Sequence, residues 1–403
     1  MIMFNLTSFI KTNVTERCNS MFRPDIELHD TELRNAIRGK RACVIGGAGS
    51  IGSAFISELL AYEPSQLVVV DLSENGLAEL TRDLRSSGKF VPQDYRTYTL
   101  DFAHPVFKRI FEENKGFDIV ANFSAHKHVR SERDKYSVEL LLENNVIKAK
   151  TLLDLLTEFP PEHFFCVSTD KAANPVNIMG ASKRILEDLI MAYSNIYPVT
   201  TARFANVAFS NGSLPDGWTH RLLKRQPLAA PSDVKRYFVS PQESGQICLL
   251  ACVLGKSGEV FFPKLEENQM KTFSEICDDF VRAHGFTPKR FKSDEEARDF
   301  AATMKDDCRE YPVVYSTSNT TGEKAYEEFY VSGETVNNER FASLGVVEKS
   351  ARKDRAAVDS FLCELKSTFD KPDFTKQQIV DAIKAFLPNF EHEEKGTNLD
   401  QKM

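Results

Sequence analysis

The stretch RACVIGGAGSIGSAFISELLAYEPSQLVVVD, residues 41–71, decides the fold. RACVI is a short apolar run closed by glycine, as expected of a buried strand that ends in a turn. Gly46, Gly49 and Gly52 follow in the spacing GxxGxxG, and SAFISELLAYE then carries apolar residues at helical spacing. Glycines between a strand and a helix let the backbone approach a pyrophosphate on the helix N-terminus, where a side chain would block it. QLVVVDL is the next strand, and its Asp71 stands about 20 residues beyond the turn, where a carboxylate can accept adenosine ribose hydroxyls. Such a carboxylate repels the extra phosphate of NADP, so NAD is the expected cofactor. The competing reading makes Asp71 the cap of the helix begun by SENGLAEL.

Outward from this unit the alternation continues. A helix is expected over Glu74 to Ser86, a strand near TYTLDF, a helix near FKRIFEEN, the strand FDIVANFSA, a helix from Tyr136 to Leu156, and the strand HFFCVSTD. Alternating strands and helices imply parallel β-α-β units, hence a doubly wound Rossmann sheet in an α/β protein. Ser50, Ile51, Ser73, Asp101 and Ser124 join the three glycines and Asp71 as expected NAD contacts. The lead-in, residues 1–38, holds the helix HDTELRNAIRG, read as capped by Asp30 or Thr31 and closed by Gly39. Residues 39–205 form the expected NAD-binding domain. Beyond it, SNGSLPDGW and KRQPLAAPSD break the regularity, so residues 206–348 are read mainly as a smaller C-terminal substrate-binding lobe with some return to the sheet. Residues 349–403 add helices and a polar tail.

The segment STDKAANPVNIMGASKR, residues 168–184, carries the chemistry. Dehydrogenases of the short-chain class place Ser or Thr at this strand end and Tyr-x-x-x-Lys in the next helix. One helical turn sets the phenol beside the lysine, whose charge lowers the phenol pKa. Here Met179 stands at the tyrosine position and Lys183 keeps its offset. Methionine exchanges no proton, so another acid/base set is required, and adjacent Asp170 and Lys171 offer one beside Thr169. Met179 reads as packing against cofactor or sugar.

Together with NFSAHKHV, RFANV, KRYF and TGEKAYEEF in the same order, this segment resembles the polysaccharide-biosynthesis branch of the extended short-chain dehydrogenases: the UDP-N-acetylglucosamine 4,6-dehydratases and related 5-epimerising enzymes. The resemblance covers about residues 24–348. It implies oxidation of the sugar at C4 by a tightly bound, recycled NAD, loss of water across C5 and C6, and return of hydride to C6. It assigns Lys171 to the C5 proton, Asp170 to the departing C6 hydroxyl, and Lys183 with Thr169 to the nicotinamide ribose and C4 hydroxyl. Lys127, Asn206, Arg236 and Glu323 become substrate contacts. The chain departs from the family in having Thr320 and Thr321 before Gly-Glu-Lys, in VRSERD after NFSAHKH, and in an insertion from Lys289 to Asp307. A UDP or GDP nucleotide, and 4- or 5-epimerisation in place of dehydration, stay open; the resemblance also implies a homo-oligomer.

The chain has 403 residues, a net charge of -7, 42% hydrophobic and 27% charged residues. That balance gives no basic footprint for nucleic acid. No run approaches the roughly 18 apolar residues of a membrane span, and Lys11 and Arg17 interrupt the start, so a cytoplasmic location is expected. The eight cysteines contain no CxxC pair and read as reduced core thiols, with no metal site.

Overall fold

The computed structural model describes residues 4–318, 328–349 and 352–392. Nine strands form the central sheet: β1 (Arg41–Ile45), β2 (Gln66–Asp71), β3 (Asp94–Thr99), β4 (Ile119–Asn122), β5 (His163–Val167), β6 (Val199–Ala202), β7 (Val260–Pro263), β8 (Thr335–Asn337) and β9 (Leu344–Lys349). Their order is β8-β9-β7-β6-β5-β4-β1-β2-β3. All neighbours from β7 to β3 run parallel, while β9 pairs antiparallel with both β7 and β8. The strand order reverses between β1 and β4, which opens a crevice at the carboxyl ends of the strands. Cys43, Val44, Val68, Val69, Val120, Phe164 and Phe165 are all fully buried. That is why the parallel strands read as unbroken apolar runs: helices cover both faces of the sheet.

Two helices matter for the site: α1 (Ser50–Leu59) and α2 (Ile178–Met191). The helix expected from Tyr136 to Leu156 is interrupted by a π-turn at Glu143–Ile147, a local widening often found at functional sites. The helix over 30–37 begins behind His29 with no side-chain cap, so neither Asp30 nor Thr31 caps it; both lie inside its first turn.

A second core joins Trp218, Phe280, Tyr311 and Val313. Its sheet consists of Thr287–Phe291, Glu310–Ser316 and Leu228–Pro231, all parallel. The expected insertion is therefore a strand, a helix over Asp294–Thr303 and the approach to another strand. The lead-in divides: Phe9, Ile10 and Val14 pack into this second core, whereas Phe22, Leu33 and Ile37 join the main one. The helices Arg355–Phe369 and Lys376–Phe386 pack on the main core through Phe361, Leu365 and Ile383. All eight thiols are free, but Cys18 and Cys363 are exposed and Cys308 is half-buried, so these three are not core residues. Among the described residues, no helix is long and apolar enough to cross a membrane, and no cluster of metal-ligating side chains occurs.

Candidate active site

Gly46, at φ +72°, turns the chain out of β1, and a Cβ there would stand 2.6 Å from the Ser124 nitrogen. A Cβ on Gly52 would stand 2.3 Å from the Gly46 oxygen. Internal packing thus demands both glycines. Gly49 differs: a Cβ there meets only the Gly46 oxygen at 3.4 Å, an ordinary contact, so the space in front of it is left for something outside the chain. Gly49 is also the N-cap of α1 and has no side-chain cap, which leaves the first N–H groups of the helix aimed into the crevice. Open backbone donors at a helix N-terminus fit a pyrophosphate.

The crevice has a volume of about 300 Å³ and is lined by Gly46, Gly49, Ser50, Ile51, Gly52, Asp71, Asp101, Ser124 and Lys127, among others. Asp71 accepts from the Ala48 nitrogen at 3.0 Å and the Ser73 nitrogen at 2.9 Å. It clamps the glycine turn and caps no helix, because Ser73 is the N-cap of Glu74–Ser86 and accepts from Gly76. Ser73 does not line the cavity. Asp101 lines it but holds Lys148 at 2.5 Å and the Ala103 nitrogen at 2.9 Å.

A second cavity of about 310 Å³ shares Ile51, Phe123, Ala125 and Lys127 with the first, and is also lined by Thr169, Lys171, Met179, Lys183 and Asn206. The end of β5 and the start of α2 place these groups. Asn177 caps α2 by accepting from the Gly180 nitrogen at 2.7 Å, and the Glu132 carboxylate accepts from the Met179 nitrogen at 2.8 Å. Met179 is buried and packs at the cavity wall. Lys183 donates to the Val167 oxygen at 3.1 Å. Burial pulls its ammonium below the ordinary value, against the opposing pull of Cys166 and Glu187.

Asp170 is 2% exposed and stands behind the wall rather than in it. Its Oδ1 accepts from the Thr169 hydroxyl at 2.6 Å, the Lys171 nitrogen at 2.8 Å and the Lys171 ammonium at 3.1 Å. Lys127 donates to the Asn211 oxygen at 2.7 Å, and the Asn211 nitrogen donates to Ser50 Oγ at 2.8 Å, so a bridge crosses between the two cavities. Arg236 is buried, donates to the Lys235 oxygen at 2.8 Å and lines neither cavity. Glu323 lies outside the described residues.

Sequence reasoning missed Ser210, Ser213, Phe204, Phe238 and Phe273 in the second cavity. It also missed Asn145, which from inside the π-turn bonds both backbone groups of His126 and the Ser182 hydroxyl. A polar Asn-Asn pair inside an apolar helical run was the available signal.

A family model described as polysaccharide biosynthesis protein matches residues 42–349. An uncharacterized membrane protein of Methanocaldococcus jannaschii is 29% identical over 325 residues, covering 78% of this chain and 88% of that protein. The capsular polysaccharide biosynthesis protein CapD of Staphylococcus aureus is 26% identical over 76% of this chain, which spans only 50% of CapD. A UDP-N-acetylglucosamine 4,6-dehydratase (inverting) of Campylobacter jejuni is 26% identical over 56% of this chain and 67% of its own. A UDP-glucose 4-epimerase of Rickettsia massiliae is 25% identical over 73% and 87%. Among solved structures, Pen from Bacillus thuringiensis shares the fold with a TM-score of 0.60 at 19% identity, over 79% of this chain and 90% of that one. Because the family model runs from β1 to the end of β9, the chain belongs to the polysaccharide biosynthesis protein family.

Proposed function

We propose that the chain is an NAD-dependent enzyme of the extended short-chain dehydrogenase type that dehydrates a UDP-linked N-acetylhexosamine, UDP-N-acetylglucosamine first, to the 4-keto-6-deoxy nucleotide sugar for surface glycan synthesis. The observation that carries this reading is the hydrogen-bonded unit Thr169–Asp170–Lys171, whose Thr169 and Lys171 share a cavity wall with Lys183 and adjoin the crevice at Gly49. The matches to a dehydratase and to a capsular polysaccharide protein support it.

Bound NAD would supply reversible hydride storage, taken from sugar C4 and returned to C6. Ser50, Ile51 and the α1 N-terminus would hold its pyrophosphate and Asp71 its adenosine ribose, with Lys183 at the nicotinamide ribose. The C4 hydroxyl proton passes to Thr169 as that hydroxyl gives its own proton to the Asp170 carboxylate, along their 2.6 Å contact. A C4 ketone acidifies C5, and Lys171 takes the C5 proton as the free amine, its ammonium proton having passed to solvent before the sugar is bound. The proton held by Asp170 then leaves with the C6 hydroxyl as water, and Lys171 returns its proton to C5. Atoms balance as substrate to product plus water.

A second reading is 4-epimerisation, favoured by the withdrawn position of Asp170 behind the wall and by the epimerase match. One experiment separates them: the purified chain is mixed with UDP-N-acetylglucosamine, and separately its GDP counterpart, in deuterated water, with products followed by NMR. A 4-keto-6-deoxy sugar deuterated at C5 is expected. An intact C6 hydroxyl with inverted C4 would replace dehydration by epimerisation.

A further inference from the structure

Behind the reactive strand end lies a buried ionic chain that the reaction above does not use. Arg203, just past β6, is 0% exposed. Its guanidinium holds Glu187 of α2 at 2.7 and 2.9 Å and Glu334 at 2.8 and 2.9 Å. Glu187 Oε1 also accepts from the Ser168 hydroxyl at 2.6 Å, and Ser168 directly precedes Thr169–Asp170–Lys171. Lys183 lies four residues before Glu187 on the same helix, so one turn separates the carboxylate from the ammonium that lines the second cavity. Desolvating three charges in a core adds little or nothing to net stability, so such a cluster calls for another account.

We propose that Glu187, clamped by Arg203, is a positioning residue with two effects: it fixes the end of β5 through Ser168, and it sets a negative charge one helical turn from the Lys183 ammonium. The groups facing this pair are Cys166 from β5, Arg203 from the end of β6, Glu334 from the turn before β8, and Arg184 and Asp188 from α2. Burial lowers the hold of Lys183 on its proton, and Cys166 and the Glu187 charge oppose that shift. Arg203 and Arg184, the latter 3.9 Å from Glu187 and 3.5 Å from Glu334, offset the two carboxylates, and the Glu187 charge acts on the Lys183 ammonium from one helical turn away.

The role rests on the dehydratase reading for its kinetic arm only. Full-length wild type, Glu187→Gln and Ser168→Ala are loaded with NAD and assayed with UDP-N-acetylglucosamine from about pH 6 to about pH 10. The NAD dissociation constant is measured over the same range without sugar. Glu187→Gln keeps an acceptor for Ser168 but loses the charge. It is expected to lower kcat about tenfold to a hundredfold, with KM changed less than about threefold, and to move the basic limb of both profiles down by about one pH unit. Ser168→Ala is expected to lower kcat about tenfold with the limb in place. A merely structural role would lower thermal stability and leave the limb where it is; a wild-type limb in Glu187→Gln therefore overturns the proposal. Absence of turnover in wild type would sink the dehydratase reading, and the NAD profile would still decide the charge effect. Should Glu187→Gln fail to fold, Ser168→Ala decides alone, and an unchanged kcat there overturns the positioning role.

Discussion

At the scale of single residues, the site turns on two neighbours with unequal access. Lys171 lines the second cavity and Asp170 does not, although their side chains meet at 3.1 Å. Proton abstraction at carbon needs a group that touches the sugar, whereas a carboxyl one layer back can act through Thr169 at 2.6 Å. Lys171→Ala is therefore expected to abolish deuterium exchange at C5 while absorbance from reduced nicotinamide accumulates, because oxidation at C4 does not need it. Asp170→Asn should retain NAD, since it lies outside the crevice lining, and lower dehydration about 10²- to 10⁴-fold, the usual contribution of one acid or base. Product NMR and the nucleotide content of the purified variants check both. Near-wild-type turnover in the pair would mean that these two residues do not carry the proton steps. Their types and order were legible because a strand end followed by Asn-Pro and a helix is a local pattern. The burial of Asp170 was not, because it depends on how β5 meets α2.

At the scale of elements, α2 separates two environments. Lys183 faces the second cavity, and Arg184 and Asp188 face a different one of about 500 Å³ bounded by Lys353 and by Phe386 to Phe390. Burial raises the Asp188 carboxyl to about 6, only partly offset by Arg184 at 3.8 Å. A carboxyl held above its unfolded value, 3.8 here, binds its proton more tightly in the fold. Its stabilising effect is then complete below pH 3.8 and is lost as pH rises through about 6. Asp188→Asn is expected to raise stability at pH 7 by on the order of 1 kcal/mol and to flatten the pH dependence across that window, as thermal unfolding would register. A variant that loses stability at pH 7 would show that the Arg184 and Lys353 contacts outweigh the burial of the charge. The sheet itself was legible from RACVIGGAGSIG onward, because parallel strands covered on both faces have to be apolar. The two faces of α2 were less so, because the burial of Glu187 and Asp188 depends on the chain past β6 bringing Arg203 beneath them. The π-turn at Asn145 was marked in the sequence only by the polar Asn144–Asn145 pair.

At the scale of the whole molecule, the N-terminal segment supports the site from behind. Within the lead-in, Phe9 is buried against Phe209 and Phe280, with ring centroids 5.8 and 5.9 Å away. Phe209 sits at φ +54°, a left-handed conformation that costs a bulky residue about 1–2 kcal/mol. Edge-to-face and tilted packing against Phe9, Trp218 and Phe280 offsets that cost, and the bend sends Ser210 into the second cavity and Asn211 across to Ser50. A contact some 200 residues away in sequence (positions 9 and 209) thus sets the bridge over the cofactor crevice, which no local reading could reveal. Phe9→Ala removes one wall of this cluster and should cost about 3 kcal/mol. If Phe209 then relaxes, the Lys127–Asn211–Ser50 bridge slackens and NAD leaves faster. Stopped-flow displacement of the nucleotide, read beside thermal unfolding, tests the coupling: loss of stability with faster release is the expected pair. Loss of stability with unchanged release would confine the N-terminal segment to holding the smaller lobe together.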